Sequence, residues 1–111
     1  MNSRIWFYSR ISTRTDIEAE IREVEKWADK HDAEMVSCTF EPTTSPLLQR
    51  KGINEIIDAA ERGAIDFVVA ESIDYFSRER SELEPFLMRL FENNVVVFTK
   101  RQGQIRLPEY N

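Results

Sequence analysis

Four short apolar runs recur along this chain, separated by longer stretches in which apolar residues return every three or four positions. The runs are residues 5–8, 34–40, 67–70 and 95–99. "FVVA" at 67–70 has no polar alternation, which marks a strand buried on both faces. Between the runs, Ile17, Ile21, Val24 and Ala28 share one helical face, as do Ile53, Ile56, Ile57 and Ala60, and then Leu83, Phe86, Leu87, Leu90 and Phe91. Gly63 and the pair Asn93–Asn94 stand where the second and third helices should stop. Residues 104–107 can add a short fifth strand, ended by Pro108. A β-α-β-α-β-α-β order predicts a mostly parallel, four- to five-stranded α/β sheet with helices on both faces.

In such sheets ligands gather at the carboxyl ends of the strands. The first three strands end at residues 9–14, 41–45 and 72–80, and these loops should open on one edge. Arg10, Arg14, Arg50, Lys51, Arg78 and Arg80 lie in or just beyond them, six of the chain's 15 basic residues. The net charge of −5 alone weighs against nucleic acid. The distribution does not, because Glu18, Glu20, Glu23, Glu25, Glu55, Asp58 and Glu61 sit on the helices. An acidic body with an arginine-rich edge suits a phosphate ligand.

At 111 residues, with only three glycines and four prolines, the chain suits one compact domain spanning 1–111. No apolar run approaches the roughly 18 residues needed to span a bilayer. No signal-peptide pattern opens the chain, and its single cysteine, Cys38, excludes an internal disulfide and a Cys-rich zinc site. A cytoplasmic protein without a membrane partner is expected.

Arginine stays protonated, so a cluster of arginines serves to hold a phosphoryl group and its transition-state charge. A serine among them can be a nucleophile. Asp74 and Glu41 can orient arginines or carry a proton. No Gly-rich phosphate loop and no metal-ligand cluster is present in the sequence. Plainer roles compete for the same residues. Ser12 or Thr13 can simply cap a helix, as can Asp74, Ser77 and Ser81. Arg50 and Lys51 can be a solvated helix start. Periodicity alone leads to an α/β domain with a polar, arginine-rich edge.

Five blocks in order carry a resemblance. "YSRIST" (8–13) resembles the Y-A-R-V-S-T segment of the resolvase/invertase family of serine recombinases. "FEPTTS" (40–45), "QRKGINEII" (49–57), "IDYFSRERSEL" (73–83) and "NNVVVFT" (93–99) are similar to the family's later blocks. The resemblance implies a resolvase-like fold of flavodoxin-like strand order. It implies that Ser12 attacks a DNA phosphodiester and forms a 5′-phosphoserine link, with strand exchange needing neither ATP nor an obligatory metal. Arg10, Arg50 and Arg78 fall on family arginines that hold the scissile phosphate, and Asp74 on the family's aspartate. Glu41 and Thr44 fall on supporting positions. DNA is the implied partner, with dimers and tetramers in the full-length context and a monomer or weak dimer for this chain.

Three departures stand out. Tyr75 occupies the place of a family arginine beside the aspartate. Asp16 and Glu20 stand near positions where glutamines are common. The family's long dimerisation helix and DNA-binding domain find no counterpart in residues 103–111, which read as a tail. A degenerate resolvase-like module that binds DNA or a recombinase without catalysis is the alternative expectation. A small phosphorylated ligand on an unrelated flavodoxin-like module is the third.

Overall fold

Among the described residues, five strands and three helices follow in the order β1 (Ser3–Ser9), α1 (Arg14–Lys30), β2 (Ala33–Phe40), α2 (Lys51–Glu61), β3 (Phe67–Ala70), α3 (Arg80–Glu92), β4 (Val96–Thr99) and β5 (Gly103–Ile105). The computed structural model describes residues 3–106. The strands lie in the order β2-β1-β3-β4-β5. The first four are parallel, and β5 runs antiparallel to β4. The short turn between β4 and β5 leaves no room for a crossover, so a hairpin is the available connection. The fifth strand starts at Gly103, one residue earlier than the sequence suggests, and ends at Ile105. Residues 103–105 are therefore part of the sheet rather than tail. Leu107 and Pro108 lie outside the described residues.

Alternation along β1 divides the interior. Ile5 and Phe7 pack with Val24 and Ala28 of α1 and with Val69. Tyr8 belongs to the opposite core, with Leu47, Ile53, Ile56, Phe76, Phe86 and Leu90. Each large side chain so buried contributes about 1.5–3 kcal/mol. Phe76 and Phe86 are fully buried here, with ring centroids 5.2 Å apart, while Tyr8 stacks on Phe76 at 5.3 Å. These two phenylalanines thus serve the core. Phe91 and Phe98 pack half-buried against the two cores.

Helices α2 and α3 end alike. Gly63 (φ 69°) follows α2 and Asn94 (φ 61°) follows α3, both left-handed. Ala64 N–H reaches the Ala59 carbonyl at 2.9 Å, and Val95 N–H reaches that of Leu90 at 2.9 Å. This is the Schellman arrangement, for which Gly and Asn are the favoured residues. Among the described residues no helix is long and apolar enough to cross a membrane.

The start of α2 is packed tightly enough to demand glycine. A Cβ on Gly52 would lie 2.5 Å from Thr39 Cγ2 and 2.9 Å from Glu41 Oε1. Gly52→Ala is expected to destabilise by about 1–3 kcal/mol through overpacking. A chemical-denaturation midpoint equal to wild type would contradict this.

Candidate active site at the carboxyl edge of the sheet

The turn from β1 to α1 is folded back on the strand end. Ser9 is fully buried. Its hydroxyl donates to Glu20 Oε2 at 3.4 Å and accepts the Ile11 N–H at 3.2 Å. Arg10 then leaves the strand toward β2 and donates through Nη2 to the Thr43 carbonyl. Its Nε is buried without an acceptor among the described residues. Ser12 follows on the exposed part of the turn. Thr13 occupies the N-cap position of α1, but its hydroxyl bonds to the Asp16 carboxylate and makes no cap bond. A capping role therefore accounts for neither Ser12 nor Thr13.

Arg50 is 6% exposed, which overturns the reading of it as a solvated helix start. Its Nε donates to the Ser45 carbonyl at 2.9 Å. Its Nη1 donates to the Tyr8 hydroxyl at 3.3 Å and the Tyr75 carbonyl at 3.0 Å. Glu41 lies behind it. That carboxylate accepts the Gly52 N–H at 2.7 Å and the Tyr8 hydroxyl at 3.1 Å. Glu41 thus binds the N-terminus of α2, where a negative charge is favoured, and orients Arg50 only through Tyr8.

The loop after β3 adds the third wall. Ser72 Oγ accepts the Asp74 N–H at 3.2 Å and starts a 3-10 turn at Ile73–Tyr75. Asp74 Oδ2 lies 3.9 Å from Arg78 Nε, and both side chains are well exposed. Such a pair contributes little to stability and leaves Arg78 open to a ligand. Ser77 Oγ donates to Glu82 Oε1 at 2.9 Å, and Glu82 Oε2 accepts the Leu47 N–H at 2.9 Å. The Leu47 amide and then the Ser77 hydroxyl hold the Glu82 carboxyl below its ordinary range.

These loops enclose an open cleft of ≈ 600 Å³. Arg10 enters from the first loop, Thr43, Thr44 and Arg50 from the second, and Ser72, Asp74, Tyr75, Ser77 and Arg78 from the third. Arg101 joins from the turn after β4. Among lining residues, four arginines face one carboxylate, an arrangement made for an anion.

A family model, the resolvase N-terminal domain, matches residues 5–109. The chain belongs to that family. Among solved structures, the N-terminal catalytic domain of TP901-1 integrase is similar at a TM-score of 0.76, with 19% identity over 90% of this chain and 78% of that one. The C-terminal catalytic domain of ISC1926 TnpA, an IS607-like serine recombinase, gives 0.74 and 20% over 86% and 68%. A resolvase family site-specific recombinase from Streptococcus pneumoniae gives 0.72 and 18% over 97% and 79%. At these identities the likeness is one of fold. No curated protein matches the sequence.

In this resolvase-family domain, the edge rule brings Arg10, Thr44, Arg50, Asp74, Tyr75 and Arg78 together. Ser12 and Glu41 are not on the cleft wall. Arg14 pairs with Glu18 and Arg80 with Glu84, along the surfaces of their own helices. Arg101 lies beyond the ends of the first three strands, and its signal in the sequence is its place just after the fourth. Tyr75 is half-buried, and burial pushes its phenol up. Glu20 and Glu71 push the same way, against Arg101 and Arg10.

Glu20 is the unusual group of the resolvase turn. It is 9% exposed, and its Oε1 has no partner among the described residues. Burial pushes its carboxyl up, opposed by the Ser9 hydroxyl. Glu71 and Glu23 add to the rise, and Lys100 opposes it. Between the ordinary glutamate value and this raised one, the folded state keeps a proton that the unfolded chain has released. Stability therefore falls as pH rises through that window. Glu20→Gln keeps the shape and removes the titration. Its urea midpoint should exceed wild type at about pH 8, with the advantage gone near about pH 3, below the ordinary carboxyl range. An unchanged gap between the two pH values would refute the assignment.

Proposed function

We propose that this is the catalytic domain of a DNA-cleaving serine recombinase. The observation that carries the reading is the convergence of Arg10, two positions before the exposed Ser12 in the chain, with Arg50 and Arg78 on one cleft beside Asp74. In the proposed reaction, Ser12 Oγ forms a bond to a DNA phosphorus as the bond from phosphorus to the 3′ oxygen breaks. A 5′-phosphoserine link and a free 3′-hydroxyl result. The serine loses one proton and the 3′ oxygen gains one, and Asp74 is the carboxylate in the cleft that can carry it. The arginines neutralise charge that grows on the phosphoryl oxygens. The phosphodiester energy is kept in the serine ester, so rejoining needs no nucleotide. Thr44 lines the cleft as a hydroxyl donor, and Glu41 acts from behind by fixing α2 and Tyr8. Self-association into dimers and tetramers belongs to the same reading.

A nicked-crossover DNA substrate tests it with the full-length protein. Wild type should yield a covalent protein–DNA adduct resistant to denaturation, and Ser12→Ala should yield none. Equal adduct from both would remove Ser12 from the mechanism. Arg50→Ala should lower the adduct rate by about 10²–10³-fold, the usual cost of one transition-state donor, and also destabilise the fold.

A second reading is favoured by Tyr75 and by the position of Ser12 outside the cleft wall: a resolvase-like module that binds DNA or a recombinase without cleaving. Tyr75→Arg separates the two. A gain from no adduct to measurable adduct would favour the second reading. Efficient cleavage by wild type would end it.

A further inference from the structure

The turn after β4 is fastened to the cleft as firmly as the other loops. Lys100 N–H donates to the Ala70 carbonyl at 3.1 Å and Arg101 N–H to that of Glu71 at 3.0 Å, extending the β3–β4 pairing past the strand ends. Gln102 bolts the turn to the third loop. Its Oε1 accepts the Ile73 N–H at 3.0 Å and the Thr99 hydroxyl at 2.7 Å, and its Nε2 donates to Ser72 Oγ at 3.2 Å. The backbone of Arg101 is therefore held at the edge that presents Asp74 and Tyr75.

The side chain is held less tightly. Arg101 Nε lies 3.8 Å from Glu71 Oε2, beyond hydrogen-bond reach, and the side chain is 68% exposed. Glu71 is shared with Lys100, also at 3.8 Å, and Lys100 Nζ is bound more closely by Glu23 at 2.6 Å. An exposed pair of this length costs little to break, so the guanidinium donors of Arg101 are available to an anion in the cleft. Arg80, which follows Arg78 at the end of the third loop, is engaged by Glu84 and does not line the cleft.

We propose that Arg101 is a phosphate-binding residue of this cleft. It supplies, from the β4–β5 turn, positive charge at the edge that presents Asp74 and Tyr75, where the tyrosine side chain supplies none. The ligand is a DNA phosphodiester, and in that respect the inference rests on the function proposed above.

Salt dependence of DNA binding tests this apart from catalysis. Each phosphate contact to duplex DNA adds about 0.9 to the slope of log K against log salt. With the full-length protein and a fluorescent duplex, Arg101→Ala and Arg101→Gln should each lower the slope by about that amount. Tyr75→Arg in the Arg101→Ala background should restore it. Arg62→Ala, which removes a pair with Asp58 at the far end of α2, should leave it unchanged. A slope for both Arg101 variants equal to wild type overturns the inference, as does an equal loss from Arg62→Ala or an absence of wild-type binding at low salt. The expected slope change without any wild-type adduct would sustain Arg101 while removing the Ser12 reaction.

Discussion

One buried guanidinium ties the candidate site to the core. Arg50 reaches the Ser45 carbonyl, the Tyr8 hydroxyl and the Tyr75 carbonyl, so three segments that are distant in sequence share one cation. A charge this buried costs several kcal/mol unless its donors are satisfied. The loops therefore close around it together or not at all. Tyr8 extends the arrangement inward. Its ring stacks on Phe76, and its hydroxyl accepts from Arg50 while donating to Glu41, which in turn holds the Gly52 amide in the first turn of α2. Packing and site geometry are the same set of contacts, viewed from the core and from the cleft.

The parts of this fold that were legible in the sequence are those set by near neighbours. The period of Ile53, Ile56, Ile57 and Ala60 gave the buried face of α2, and Gly63 and Asn94 sit in the left-handed ends expected of them. The strand-end rule located the cleft because a parallel sheet aligns its carboxyl ends whatever the side chains do. Side-chain bonding was not legible. Arg50 and Tyr8 are 42 positions apart, and Glu82 reaches Leu47 across 35. No spacing within a helix or strand reports such contacts. Glu41 reads in sequence as a group that orients arginines, and only the fold shows that it is committed to Gly52 and Tyr8.

At position 75 the backbone and the side chain do different work. What Arg50 needs from residue 75 is its carbonyl, which any residue supplies. The side chain is free to vary, and a tyrosine here fills space near Glu20 and Glu71 without adding charge. The constraint on position 75 is thus divided. Its backbone belongs to the buried cation, and its side chain belongs to whatever occupies the cleft.

The choice of acceptors for the arginines carries the electrostatic argument further. Arg10 is held by the Thr43 carbonyl, and Arg50 by the carbonyls of Ser45 and Tyr75. Carbonyl dipoles fix the direction of a guanidinium without cancelling its charge. Carboxylates would fix and neutralise it together. In a chain of net charge −5, carboxylates are plentiful, yet Glu41 and Glu82 near the cleft are spent on backbone amides. The carboxylates that do face cleft arginines stand off from them, Asp74 at 3.9 Å from Arg78 and Glu71 at 3.8 Å from Arg101. The edge therefore keeps a positive field on an acidic body, and the first anion able to neutralise it is a ligand.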